Sequence, residues 1–165
     1  MPTTGVIVYT MAAVASLLVE PRLHNLVLTL CFWAIMPIGL FIGSLRGEEM
    51  RARADNPLFG LSAQARVMVL STWAIHIPVW VYAPSLFPIS VGIAFALHWV
   101  VFSWTLGHPV GLIHLALRIV FVLVAWHAFP TNRMGAVSAG VALAYAISLA
   151  QLRSIDWQAR LAKEQ

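Results

Sequence analysis

The segment 109–129 reads PVGLIHLALRIVFVLVAWHAF, and Arg118 is its one charged residue. A stretch of about 20 predominantly apolar residues is long enough to cross the hydrocarbon core of a bilayer as an α-helix. Apolar side chains cover all faces of this helix, whereas a membrane β-strand alternates apolar and polar residues. The segment therefore predicts a membrane-spanning helix with an arginine near its middle.

The rest of the chain extends this pattern. Of the 165 residues, 61% are hydrophobic and 10% are charged, compared with roughly 25% charged residues in soluble domains. A water-soluble fold of this length has too little interior to bury so much apolar surface. We therefore predict an all-α, polytopic transmembrane bundle in one domain, 1–165, with about six spans at 4–19, 26–45, 67–86, 88–106, 109–129 and 134–152. The first span is short.

The basic residues outside the spans predict the orientation of the bundle. With six spans, one side holds loop 46–66 and the C-terminal tail. Seven basic residues fall on that side and two, Arg22 and Arg133, on the other. Because cytoplasmic loops are enriched in Lys and Arg, we expect loop 46–66 and both termini to be cytoplasmic. The seven are Arg46, Arg51, Arg53, Arg66, Arg153, Arg160 and Lys163.

Several other classes of protein are disfavoured. The net charge of +4 comes from dispersed basic residues without a long basic run, so nucleic acid is not an expected partner. Cys31 is the only cysteine, which excludes an intrachain disulfide and a cysteine metal cluster. The first 19 residues lack the basic start of a signal peptide, so we expect them to be a retained first helix.

Small residues indicate where helices approach closely, because close packing drives helix association in lipid. Gly39 and Gly43 form a GxxxG pair in the second span, and Ala136 and Gly140 repeat the spacing in the sixth. Packing within one bundle is the favoured interpretation, and an oligomer through Gly39 and Gly43 is the alternative.

Ionisable side chains inside the spans are the leading functional candidates, because each is costly in hydrocarbon. An α-helix rises about 1.5 Å per residue, so these side chains lie ~7 to ~13 Å from the cytoplasmic ends of their spans. They therefore fall in one layer of the bundle. We expect a polar, anion-favouring pocket in the cytoplasmic half, lined by four basic or titratable side chains and two hydroxyls: Arg118, His114, His98 and His76, with Thr72 and Ser103.

Arg118 is the central residue of this prediction. No Asp or Glu lies within a predicted span, so Arg118 has no acidic partner there. It can bind an anionic small molecule or lipid headgroup, extend toward water, or bond carbonyls and hydroxyls of the bundle. The sequence leaves these alternatives open.

Histidines also raise the possibility of haem or a metal ion. His114 and His127 point about 140° apart on a helix, so they do not ligate stacked haems from one face. His76, His98 and His114 lie on consecutive spans and remain the candidate ligands, although no cofactor is expected. The sequence has no phosphate loop, HExxH or GxSxG. We therefore name no catalytic residue, and an enzymatic role is disfavoured.

Short motifs follow in order along the chain: Pro37-Ile38-Gly39-Leu40, Asn56-Pro57-Leu58, Leu86-Phe87-Pro88, His98-Trp99 and Phe102-Ser103-Trp104. In this order they resemble an uncharacterised bacterial family of small six-span membrane proteins, a domain of unknown function. The resemblance implies a protein of the bacterial cytoplasmic (inner) membrane and carries no activity with it.

The predicted function is a small transporter, channel or ligand-binding bundle with its pocket around Arg118. The main alternative is a haem- or metal-binding redox protein that uses the histidines. The second alternative is a structural or accessory subunit whose polar residues only hold helices together.

Overall fold

The computed structural model describes residues 2–45 and 57–155, of which 89% are helical and none form a strand. Short 3-10 turns, Pro21–Leu23 and Pro84–Leu86, lead into the second and fifth helices. Eight α-helices are described: α1 Pro2–Leu18, α2 His24–Leu45, α3 Pro57–Ser71, α4 Trp73–Tyr82, α5 Phe87–Ala94, α6 His98–Leu106, α7 Val110–Ala128 and α8 Arg133–Ser154.

Four helical segments are long and apolar enough to cross a membrane: Pro21–Leu45, Pro84–Leu106, Val110–Ala128 and Arg133–Ser154. Two shorter apolar segments, Pro2–Leu18 and Val67–Tyr82, accompany them. Large apolar side chains such as Leu17 and Phe41 are exposed on the bundle surface, where lipid would cover them. The prediction of an all-helical chain with membrane-length helices is confirmed, whereas six crossings and their direction stay predictions.

Helix α8 lies at the centre of the bundle. It packs along α1 and α7, the most extensive helix contacts of the described chain, and also touches α5 and α2. Its buried face is rich in small residues, including Gly135, Ser138 and Ala144, which allow close approach. The predicted small position Gly140 faces α7: a Cβ there would lie 3.1 Å from the Phe121 carbonyl oxygen. Gly39 and Gly43 are buried, and the choice between packing inside one bundle and an oligomer through these glycines stays a prediction.

The third predicted span differs from the observed helices. Residues 57–66 of the predicted loop are helical and belong to α3. The helix is interrupted at Thr72 and continues as α4 to Tyr82. Residues 46–56 and 156–165, with five of the seven basic residues that set the predicted orientation, lie outside the described residues.

A tight turn joins α6 to α7. Gly107 adopts the left-handed conformation, with φ of 57°, which glycine tolerates without steric penalty. The Ser103 hydroxyl donates to the His108 carbonyl at 2.5 Å. At Gly111 the two helices touch so closely that a Cβ would collide with the Trp99 carbonyl oxygen and lie 2.8 Å from the backbone nitrogen of Ser103. The absence of a side chain at Gly111 therefore sets the separation of α6 and α7.

Candidate functional site

Arg118 lies at the centre of the bundle and is fully buried, with 0% of its surface exposed. Its Nε donates to the Gly92 carbonyl at 2.6 Å. Its two terminal nitrogens donate to the hydroxyls of Tyr145 at 3.3 Å and Tyr9 at 3.2 Å. One side chain of α7 is thereby joined to α1, α5 and α8.

The Gly92 carbonyl is free to accept this bond because the fourth predicted span is broken. In a continuous helix the N–H of Ala96 would bond to Gly92, but it bonds to the Ile93 carbonyl at 2.9 Å instead. Residues 95–97 form turns between α5 and α6. The C-terminal end of α5, which carries a partial negative charge, therefore faces the guanidinium.

The two tyrosines complete the surroundings of the charge. Their rings stack with centroids 5.9 Å apart, and the Arg118 Cζ lies 5.3 Å from the Tyr9 centroid and 5.5 Å from that of Tyr145. Placing an arginine at the middle of a membrane helix costs about 2.5–3.5 kcal/mol. A hydrogen bond to a charged group contributes about 1.5–3 kcal/mol, so the three bonds offset this cost.

The guanidinium nevertheless keeps unused capacity. It has five N–H donors, and its three hydrogen bonds leave two N–H groups without a partner among the described residues. Glu20 is the only Asp or Glu in 2–45 and 57–155, and it pairs with Arg22. Arg118 is therefore a buried cation without a carboxylate in the described part of the chain.

His114, one helical turn before Arg118, is also fully buried. Its Nδ1 lies 2.8 Å from the Ser148 hydroxyl, which itself donates to the Ala144 carbonyl at 2.9 Å. Because the Ser148 proton is used in that bond, His114 Nδ1 is the donor and its Nε2 carries the lone pair. Nε2 is buried without a partner. The ring stacks on Trp99, with centroids 3.8 Å apart.

His98 lies at the start of α6, beside the break in the fourth span. The His98 ring lies 6.1 Å from the ring of its neighbour Trp99, which in turn stacks on His114, one helical turn before Arg118. The Nδ1 of His98 is buried without a hydrogen-bond partner, as is the indole nitrogen of Trp99. The structure thus brings together Arg118, His114 and His98, three of the four basic side chains of the predicted layer.

His76 occupies a different cluster. Its Nδ1 lies 2.6 Å from the Ser90 hydroxyl, and its ring packs against Trp73, Phe87 and Phe95 at centroid distances of 5.7, 6.4 and 5.1 Å. No contact joins His76 to Arg118 among the described residues.

The two predicted hydroxyls make local bonds. Thr72 donates to the Val69 carbonyl, three residues earlier in α3, at 2.6 Å, and Ser103 donates to the His108 carbonyl in the α6–α7 turn. Both bonds stabilise backbone at a helix break or a turn.

A second polar region lies at the end of the bundle formed by turns 19–23, 83–86 and 129–132, here called the three-turn end. Asn25 donates to the Pro84 carbonyl and Trp126 to the Ser85 carbonyl, each at 3.0 Å. Asn132 caps α8 by accepting from the Gly135 N–H at 3.0 Å. A cleft of about 460 Å³ lies between these turns, lined in part by Arg22 and Arg133.

The haem or metal alternative stays a prediction. Within residues 2–45 and 57–155, no group of three or more His, Cys, Asp or Glu side chains is arranged to hold a metal ion.

The partners of Arg118 are only partly visible in the sequence. Tyr9 and Tyr145 are two of only three tyrosines, and a buried tyrosine hydroxyl usually requires a hydrogen-bond partner. That rule marks Tyr9 and Tyr145 as residues whose hydroxyls need a partner if they are buried. Gly92 and Ser148 have no such signal in the sequence. The Gly92 carbonyl is freed by a helix break, and Ser148 approaches His114 from a different helix, so both contacts depend on tertiary structure.

The fold and this centre define a class: an apolar helical bundle with membrane-length helices and a buried, carboxylate-free arginine. The family model described as "Family of unknown function (DUF7010)" matches residues 1–154. The chain belongs to this family, so the expected membership in a family of unknown function is confirmed. No curated protein and no solved structure matches the chain.

Proposed function

We propose that this protein is a small membrane transporter or ligand-binding bundle for an anionic solute, with Arg118 as its binding cation. The observation that carries the proposal is the buried guanidinium with two unpartnered N–H groups and no carboxylate in the described residues. An anion of suitable size would accept hydrogen bonds from these N–H groups and compensate the positive charge of the guanidinium.

The broken fourth span supports a ligand site at this depth. Irregular backbone at membrane depth is tolerated where it is buried in protein or lines a cavity. Interrupted helices often form the substrate sites of transporters. Arg118 bonds directly to the carbonyl that this break frees. We infer that the structure represents a closed form, in which the hydroxyls of Tyr9 and Tyr145 occupy donors that a ligand would take over on opening.

The membrane arrangement belongs to the same proposal. Six crossings are formed by the four long apolar segments together with Pro2–Leu18 and Val67–Tyr82. The segment Pro2–Leu18 has 17 residues, at the lower limit of about 17 for a span. Both termini and the segment 46–66 lie in the cytoplasm of a bacterial cell, with the three-turn end outside.

Reporter fusions test this topology. Green fluorescent protein fused after residue 165 is expected to fluoresce in a bacterial host, and alkaline phosphatase inserted at Thr131 is expected to be active outside the cytoplasmic membrane. The reciprocal fusions, with the two reporters exchanged, serve as controls and should be inactive. Active alkaline phosphatase at the C-terminus would reverse the proposed orientation.

Thermal stabilisation of purified protein tests the ligand site. An anion at ten times its dissociation constant stabilises by about 1.4 kcal/mol, which raises the Tm by about 3–6 °C. Sulfate and acetate are the probes, with the bulky anion gluconate at equal ionic strength as reference. We expect at least one probe to stabilise the wild type, Arg118→Lys to respond more weakly, and Arg118→Leu not to respond.

Arg153→Gln is the matched control, because Arg153 is exposed near the far end of α8, and it should respond as the wild type does. An equal response of Arg118→Leu and the wild type contradicts the proposal. A wild type that responds to neither probe, together with a more stable Arg118→Leu, supports the second candidate instead. In that candidate the protein is a structural or accessory subunit, favoured by the observation that all three hydrogen bonds of Arg118 go to its own bundle.

A further inference from the structure

The cleft at the three-turn end is a polar cavity whose lining includes neither Arg118 nor its partners. Its volume of about 460 Å³ falls within the range of about 300–1,000 Å³ that is usual for ligand pockets. Its lining combines two arginines with uncharged polar and aromatic side chains: Arg22, Arg133, His24, Asn25, Trp80 and Thr131.

Arg133 supplies the uncompensated charge of the cleft. Its Cζ lies 4.2 Å from the centroid of the Trp126 ring, and that ring is fixed by its bond to the Ser85 carbonyl. The Arg133 Nε is buried without a hydrogen-bond partner. No carboxylate in the described chain pairs with Arg133, because Glu20 pairs with Arg22. The guanidinium is therefore held in place with an unused donor.

We propose that this cleft binds a phosphate-bearing anion, with Arg133 as the main cation and Arg22 as the second. A guanidinium presents a planar set of donors that matches phosphate oxygens. Trp80 and Trp126 lie at the ends of α4 and α7, where aromatic side chains mark the depth of lipid headgroups. The N-terminus of α8 is already capped by Asn132, so the arginines rather than the helix end provide the site.

Two sources supply this chemistry: the phosphate of an anionic phospholipid and a soluble phosphate ester. The purified protein is compared in nanodiscs of phosphatidylcholine alone and in nanodiscs of phosphatidylcholine mixed with phosphatidylglycerol. Glycerol phosphate is titrated into the protein in nanodiscs of phosphatidylcholine alone. The measurement is the rise in Tm as a function of phosphatidylglycerol content or glycerol phosphate concentration. Stabilisation by phosphatidylglycerol identifies a lipid site, and stabilisation by glycerol phosphate identifies a soluble ligand.

Three variants locate the response. Arg133→Gln removes a charge-assisted contact and is expected to weaken binding about tenfold. Arg22→Gln weakens binding less, because its partner Glu20 already compensates part of the charge. The Arg22 side chain is 78% exposed, so Arg22→Gln keeps the test valid if Arg133→Gln does not fold. Arg153→Gln should bind as the wild type does, because Arg153 is exposed near the far end of α8. No stabilisation by either ligand, or wild-type titrations for both Arg133→Gln and Arg22→Gln, would overturn the proposal.

Discussion

Gly111→Ala is expected to destabilise the bundle by about 3 kcal/mol or more, because it forces extra volume into a contact with no free space. The added Cβ would overlap the Trp99 carbonyl oxygen and press on Ser103. A backbone carbonyl does not rotate away as a side chain does, so α6 and α7 must separate. The measurement is the Tm of the purified protein, where about 3 kcal/mol corresponds to a loss of about 6–12 °C.

Gly140→Ala is the matched control for this experiment. Its Cβ would lie 3.1 Å from the Phe121 carbonyl oxygen, a tight contact that a small shift relieves. Alanine also improves helix propensity by about 1 kcal/mol over glycine. We therefore expect a change in stability within about 1 kcal/mol. An unchanged Tm for Gly111→Ala would show that the two helices are not held at the described separation.

Removal of both tyrosine hydroxyls is expected to be nearly as damaging. Tyr9→Phe combined with Tyr145→Phe keeps the stacked rings but leaves Arg118 with the Gly92 carbonyl as its one remaining acceptor among the described residues. Breaking the partners of a buried charge costs about 3–5 kcal/mol, because the charge stays buried without compensation. The double variant should therefore lose about 3 kcal/mol in free energy of unfolding.

The same double substitution in an Arg118→Leu background provides the control. Without the guanidinium, the two hydroxyls have no charge to solvate, and their removal should change the free energy of unfolding by less than about 1 kcal/mol. The difference between the two backgrounds measures the coupling directly. Equal losses in both backgrounds would mean that the hydroxyls stabilise the bundle independently of Arg118.

The general architecture could be predicted from the sequence because its signal is local. Runs of apolar residues mark helices of membrane length, and Pro84, Pro88 and Pro109 stand at or next to observed helix ends. The break at residues 95–97 could not be predicted in this way, because Phe95, Ala96 and Leu97 contain neither proline nor glycine. Arg118, which is distant in sequence, donates to the carbonyl that the break frees.

The candidate site was partly predictable for a related reason. An ionisable residue in an apolar span is visible in the sequence, so Arg118, His114 and His98 were identified. Equal depth does not establish contact, however, because His76 faces the aromatic cluster beside α5 instead. Thr72 and Ser103 show a further limit, since a hydroxyl in a helix readily bonds to a carbonyl of its own segment.

The partners of Arg118 also order the assembly of the protein during synthesis. Tyr9 and Arg118 are 109 residues apart, which at about 5–20 residues per second separates their emergence by about 5 to 20 seconds. During that interval α1 lacks the partner of its Tyr9 hydroxyl. Its principal packing surface, α8, is made later still. Helix α8, which is synthesised after α7, therefore completes the docking of α1.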